Sequence, residues 1–200
     1  MRDRRGRAAA SALLVLSLVV ALAACSNDPL AEQYRAGENK GFVSGAYRVV
    51  EIPDAERGDP VEFSGVLETG DPVSNADYAG DVLVVNFWYS SCAPCRVEAP
   101  ELEAAHAEFD GEPVSFLGIN LHDGAEASLA FAETFGVTYP SALATEDGSI
   151  KLAFAAETPL SAVPSTLVLD AQGRVAARII GQLPAASILE TLVRDALEES

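Results

Sequence analysis

Cys92 and Cys95 stand three positions apart, separated by Ala93 and Pro94. Two thiols at this spacing can close into a disulfide and reopen, passing two electrons to or from the cysteines of another protein. Their setting favours that chemistry. Residues 82–88 (VLVVNFW) form a continuous apolar, β-branched and aromatic run, the pattern of a strand buried on both faces. A helix is expected to begin near Ala93, which places Cys92 at its N-terminus. Unpaired N–H groups and the helix dipole there stabilise an anion, so the Cys92 thiolate forms at lower pH. Cys95, one turn in and less exposed, is placed to resolve the mixed disulfide that Cys92 makes with a substrate. Pro94 suits the first helical turn, where its missing N–H costs nothing. Two other readings of the pair stay open. A static cross-link would close a loop of only two residues and restrict the unfolded chain little. A metal site would need two further ligands, and the two histidines, His106 and His122, do not follow zinc-finger spacing.

The elements that must hold this pair can be read from periodicity and turn signals. After the 82–88 strand, Val97, Leu102, Ala105 and Phe109 recur at helical spacing from Ala93 to Phe109. Pro100 predicts a kink or a restart near Ala99. Val114 to Leu121 is a second buried strand. Ala125 to Phe135 is a helix with Leu129, Phe131, Ala132 and Phe135 on one side. Thr166 to Asp170 and Arg174 to Ile180 are strands joined by a turn at Ala171-Gln172-Gly173, and Ala185 to Glu198 is a closing amphipathic helix. Upstream, Val61-Glu62-Phe63 and Gly65-Val66-Leu67 have the pattern of the arms of an N-terminal β-hairpin. This order, β-α-β-α and then β-β-α, is that of an α/β domain with a mixed central sheet flanked by helices. The domain is expected over residues 41–200, with its core at about 63–198.

The N-terminus has a different composition. Arg2, Arg4, Arg5 and Arg7 precede an uncharged run from Ala8 to Ala24, which ends in Leu22-Ala23-Ala24-Cys25. The arrangement of a cationic start, an apolar run and small residues is that of a secretory signal, and its end resembles a bacterial lipobox. Residues 1–24 are therefore expected to be a lipoprotein signal peptide, Cys25 the lipidated first residue of the mature chain, and residues 25–40 a flexible polar tether. An uncleaved signal anchor is the alternative, and both place the domain on the extracytoplasmic face of a membrane. The odd cysteine count resolves as one anchor and one redox pair. The full chain has 13 Lys+Arg against 30 Asp+Glu, a formal charge of −17. The signal holds four arginines and one aspartate, so the chain from Cys25 onward carries −20. Such an acidic domain is unsuited to nucleic acid, which is bound through Lys and Arg. With 49% hydrophobic residues it is unsuited to disorder as well.

The block Asn86-Phe87-Trp88-Tyr89-Ser90-Ser91-Cys92-Ala93-Pro94-Cys95-Arg96-Val97-Glu98-Ala99-Pro100, with Phe63-Ser64-Gly65 before it and Val163-Pro164-Ser165-Thr166 after it, resembles the TlpA/ResA-type thiol–disulfide oxidoreductases. These are membrane-attached proteins of the thioredoxin-like fold, so the resemblance implies that fold here. It also implies site residues. Glu98 matches an acidic position of the family and would take the proton of Cys95. Asn86 stands where thioredoxins proper carry an acid, and Asn cannot titrate. Pro164 would follow a cis peptide bond, with Pro159 a less well placed candidate. The Val163 backbone would pair with an extended substrate segment, and Trp88 would back the substrate site. One position departs from the family: Ser91 stands where Trp often precedes the first cysteine. The resemblance further implies a monomer with no cofactor or metal beyond the redox-active disulfide. Its clients would be thiol- or disulfide-bearing envelope proteins, apocytochrome c among them, kept reduced with electrons from a membrane partner. A peroxiredoxin-like thiol peroxidase and a copper-binding lipoprotein are the alternatives. The first lacks a Pro in residues 85–91, and the second would need a spacer of three residues between its cysteines, where this chain has two, and a distal His, for which neither His106 nor His122 is well placed.

Overall fold

The structure, a computed structural model, describes residues 42–43 and 47–199. The expected signal segment, the Cys25 anchor and the tether up to residue 40 lie outside the described residues.

Strand β5 (Val82–Trp88) is buried at every position, because it lies in the middle of the sheet with an element on each face. Alternate side chains divide between two cores. Val82 and Val84 join one cluster, packed against Leu102 and Ala105 of helix α1 (Ala93–Glu108), its C-cap Phe109, and Leu189, Leu192, Val193 and Ala196 of helix α4 (Ala186–Glu198). Leu83, Val85 and Phe87 join the other, against Ile150 and Phe154 of the short helix α3 (Ser149–Phe154). Phe87 meets Phe154 edge to face at 5.4 Å between ring centroids, an arrangement aromatic rings prefer.

Strand β6 (Val114–Asn120) runs parallel to β5, with Trp88 level with Asn120 at their ends. On its other side β5 pairs antiparallel with β8 (Ser165–Leu169), which pairs antiparallel with β9 (Val175–Gly181). Two elements extend this core. Strand β2 (Tyr47–Glu51) lies antiparallel beside β9 and carries the two-residue β1 (Phe42–Val43), and β7 (Ser141–Leu143) lies parallel beside β6. The sheet order is β1-β2-β9-β8-β5-β6-β7. Helix α2 (Ala125–Phe135) covers the active-site end, with Phe131 against Trp88 at 4.2 Å. This is the expected mixed sheet flanked by helices, with an added hairpin.

Four local expectations are corrected. The hairpin pairs β3 (Ser64–Val66) with β4 (Pro72–Ser74), not Val61–Phe63 with Gly65–Leu67. Its turn spans residues 67–70, closed by Gly70 N on Leu67 O at 2.9 Å, and Gly70 has φ +90°, a conformation glycine alone adopts without strain. Val61 and Phe63 instead bury their side chains in the second core. Helix α1 runs unbroken through Pro100, its Ala99, Leu102 and Ala105 packing holding it on either side of the missing N–H. Val97 is 60% exposed, because the buried stripe of α1 runs through Cys95, Glu98, Ala99, Leu102 and Ala105. Leu129 of α2 likewise faces outward.

Candidate active site

Cys92 is the N-cap of α1, and its Sγ accepts from the Cys95 backbone N–H at 3.2 Å. The two cysteines form a disulfide, with Cα atoms 5.3 Å apart. Both are buried, Cys92 at 3% and Cys95 at 2% exposure, so the expected difference in exposure is absent in the disulfide form. Ala93, Pro94 and Arg96 complete the first turn, with Ala93 and Arg96 exposed. Cover over the pair comes from Val163 and Tyr89, which pack on the cluster of Trp88, Cys92, Cys95, Ala99 and Phe131. Ser91, in the place of the family's Trp, is exposed and adds nothing to that cover.

The Val163–Pro164 peptide bond is cis, as the resemblance implies, and is the one cis bond among the described residues. Pro164 O accepts from Gly181 N at 2.9 Å, which ties the loop to the end of β9 and sets Val163 against the cysteine cluster. Trp88 is only 5% exposed, and its indole donates to Ser141 Oγ at 3.3 Å. It belongs to the packing beneath the dithiol and presents no face to a docked chain. That correction follows from strand alternation, which turns Trp88 inward onto α2.

Glu98 sits one turn after Cys95, 1% exposed, within the apolar stripe of α1. Its Oε1 accepts from Asn86 Nδ2 at 2.9 Å and its Oε2 from the Leu183 backbone N–H at 2.8 Å. Asn86 also donates to Thr166 Oγ1 at 3.1 Å. Burial pushes the Glu98 carboxyl up to about 7, against the opposing pull of the Leu183 and Asn86 hydrogen bonds. The neighbouring acids have other work: Glu101 accepts from Ala186 N and caps α4, and Glu103 accepts from Thr138 N and Oγ1. A cavity of about 10 Å³, lined in part by Cys95, Asn86, Ala99 and Tyr139, lies beside the buried cysteine. That is about the space of one water molecule.

The histidines separate. His106 meets Phe116 and Tyr139 edge-on, while the His122 ring meets Tyr89 at 4.9 Å on the active-site loop. Among the described residues no group of three His, Cys, Asp or Glu side chains comes together to hold a metal, and no helix is long and apolar enough to cross a membrane.

Gly118 is fixed by the same packing. A Cβ there would overlap Ser141 Oγ and lie 2.8 Å from Trp88 Nε1. Gly118→Ala is therefore expected to destabilise by about 1–3 kcal/mol. Denaturant unfolding followed by fluorescence of the single tryptophan measures this, and an unchanged midpoint would show that the Trp88–Ser141 contact yields freely.

Residues 58–178 match the sequence pattern of the AhpC/TSA family. The chain belongs to that family. Its relatives are of the TlpA/ResA kind. It is 34% identical to the thiol:disulfide interchange protein HelX of Rhodobacter capsulatus over 113 residues, 56% of this chain and 60% of HelX. It is 26% identical to the thiol-disulfide oxidoreductase ResA of Bacillus subtilis over 132 residues, 65% of this chain and 68% of ResA. The chain thus spans about three fifths of the length of HelX. The crystal structure of a DsbF homologue from Corynebacterium diphtheriae superposes with a TM-score of 0.62 at 32% identity, covering 77% of this chain and 97% of that one. A thioredoxin-family thiol:disulfide interchange protein from Chlorobium tepidum superposes with a TM-score of 0.65 at 28% identity, covering 72% and 99%. The thioredoxin-like fold of the family is the fold described above.

The reasoning from sequence missed three members of this neighbourhood: Asn120, Asp123 and Ser90. They bind one another beside Cys92, as set out below. A signal was present, since Asn120-Leu121-His122-Asp123-Gly124 directly follows a strand and Asn and Asp in such places fold back on their own backbone.

Proposed function

We propose that the protein is an extracytoplasmic thiol–disulfide oxidoreductase that reduces disulfides of other envelope proteins. The observation that supports this most is the Cys92–Cys95 disulfide capping α1 with a buried carboxyl, Glu98, one turn behind it. In the reducing direction the Cys92 thiolate attacks one sulfur of a client disulfide. A mixed disulfide forms and one client thiolate leaves. Glu98 then takes the proton of Cys95. The Cys95 thiolate attacks Cys92 Sγ, closing the Cys92–Cys95 disulfide and releasing the second client thiolate, which is protonated. The client has gained two electrons and the protein has lost two, to be replenished by a membrane partner. The two electrons come from the dithiol itself, with no cofactor in the exchange. The backbone at Val163, beside cis-Pro164, is suited to pairing with the extended client segment.

The remaining parts of the reading rest on the sequence and its resemblance alone: lipid anchoring at Cys25 after removal of residues 1–24, a monomer, and apocytochrome c among the clients. Cys95→Ser is expected to accumulate mixed disulfides between Cys92 and client proteins, recovered intact under non-reducing conditions. An empty trap alongside peroxide consumption by the reduced protein would favour the peroxidase alternative, and stoichiometric retention of Cu(I) the copper one. The direction is read separately from the potential against glutathione: a value near −120 mV, that of a strong oxidant, would overturn the reductase assignment.

A further inference from the structure

Strands β5 and β6 end side by side, so the loop that delivers Cys92 (residues 89–91) and the loop after β6 (residues 121–124) leave the sheet together; Leu121 N donates to Trp88 O at 3.0 Å. Asn120, at the end of β6, is fully buried. Its Oδ1 accepts from the backbone N–H of His122 at 3.1 Å and of Asp123 at 2.8 Å, and its Nδ2 donates to Asp123 Oδ2 at 3.0 Å. The Asp123 carboxylate is thereby aimed across the gap. There it takes both donors of one residue: Ser90 N at 2.6 Å on Oδ2 and Ser90 Oγ at 2.8 Å on Oδ1. The remaining polar group of Ser90, its carbonyl, accepts from Arg96 Nε at 2.7 Å. The far loop is fastened in turn by Lys151 Nζ on Leu121 O and Thr145 Oγ1 on Asp123 O.

Every polar group of Ser90 is thus held, two residues before the nucleophile. The next constraint along the chain is Cys92 N on Tyr89 O at 3.1 Å, which sets the turn into the helix cap. We propose that Asp123, oriented by Asn120, is a positioning residue that latches Ser90 and so holds Cys92 Sγ against the N–H groups that open α1. This rests on the dithiol reading above. Ordinary loop packing does not require a carboxylate that meets both donors of one serine, one on each oxygen, while a buried Asn orients it. An acid at this place, if it acted through charge alone, would disfavour the Cys92 thiolate; acting as a latch, it favours that thiolate. The other charged or titratable groups around Cys92 are Arg96 on the first turn of α1, His122 against Tyr89, and Glu98 beneath Cys95.

The two modes of action predict opposite signs, and that is the test. In the reduced full-length protein, the pH dependence of Cys92 alkylation by iodoacetamide is measured for wild type, Ser90→Ala, Ser90→Thr and Asp123→Ala, together with the potential against glutathione. Ser90→Ala is expected to lower the Cys92 thiolate-to-thiol ratio about fivefold, the effect of one lost hydrogen bond, which moves the titration to higher pH and slows alkylation at neutral pH. The potential should shift in the reducing direction, because a reduced form with a less stable thiolate is the poorer oxidant's. Ser90→Thr keeps the hydroxyl and should restore both readouts, while Asp123→Ala should exceed Ser90→Ala in the same direction. A Cys92 titration that moves to lower pH in Asp123→Ala, or one unmoved in Ser90→Ala, overturns the latch. Should Asp123→Ala fail to fold, the Ser90 pair decides alone. If wild type exchanges disulfides and Ser90→Ala matches it at every pH, only the latch falls. If wild type does not exchange them, the dithiol reading falls first.

Discussion

Glu98→Gln is expected to slow the resolving step, attack of Cys95 on the mixed disulfide, about a hundredfold at pH 7, the lower range for loss of a positioned base. Attack by Cys92 on a first disulfide should be unchanged, because that thiolate is stabilised at the helix cap and not by Glu98. Glu98 suits the task because its environment pulls both ways. Burial raises the carboxyl, while Asn86 Nδ2 and the Leu183 N–H pull it down, leaving it near 7. A base poised there can accept a thiol proton and return it at neutral pH. Each Glu98 oxygen accepts one N–H and keeps a second lone pair for the proton. Decay of a purified mixed disulfide, followed against pH, is the measurement. Wild type should rise through about pH 7 and Glu98→Gln should lack that rise; a variant within twofold of wild type with the same profile would remove Glu98 from the proton path.

The same residue gives the oxidised protein a stability signature of definite sign. The Glu98 carboxyl titrates at about 7 folded against 4.5 unfolded, so between those values the folded state binds the extra proton. Stability is then fully present below about pH 4.5 and is lost as pH rises through 7, a change of about 3 kcal/mol. Glu98→Gln should flatten this slope, although its amide must be accommodated by a turned Asn86 side chain. Urea unfolding of the oxidised forms at pH 5 and pH 8 separates this effect from the kinetic one.

Much of this site was legible in the sequence, and what was not has definite causes. β5 and α2 were readable to the residue because each is a single buried period bounded by turn signals. Glu98 is distinguishable from Glu101 and Glu103 once the stripe Cys95, Glu98, Ala99, Leu102 and Ala105 is seen to exclude Val97. The family resemblance and its place three residues after Cys95 single out Glu98 already, while taking Val97 as a core position misplaced the stripe itself. β2 and β7 are short outlying strands whose partners, β9 and β6, lie far along the chain or across a crossover, so no local pattern announces them. The latch at Ser90 joins residues 33 positions apart through polar groups that hydrophobic periodicity does not register. The same blindness applies to Asp170, read only as the end of a strand.

Asp170→Asn is expected to cost about 3–5 kcal/mol at pH 7, the range for removing one partner of a buried ion pair. The Asp170 side chain has no exposed surface, yet it sits between two guanidinium groups: Arg57 Nη1 at 3.0 Å and Arg174 Nη2 at 2.7 Å, both on Oδ2. Its Oδ1 accepts the backbone N–H of Gln172 at 3.0 Å and of Arg174 at 2.9 Å, closing the β8–β9 turn. Arg57, its side chain 3% exposed, goes on to Ile52 O and Glu199, and Arg174 reaches Asp54 at 2.6 Å. One carboxylate therefore ties the β8–β9 turn to the segment before the hairpin and to the end of α4. An Asn would direct an amide N–H₂ at guanidinium donors and leave the buried Arg57 with Glu199 alone as its acidic partner. Burial alone would raise the Asp170 carboxyl, but the hydrogen bonds and charges of Arg174 and Arg57 outweigh it and hold the group below the usual range. Its contribution is thus present above the unfolded value of 3.8 and is lost as pH falls below it. Urea unfolding at pH 7 and pH 3 checks both statements. The gap between wild type and variant should narrow on acidification, and a gap below about 1 kcal/mol at pH 7, or one equally wide at pH 3, would mean that shape rather than charge secures this corner.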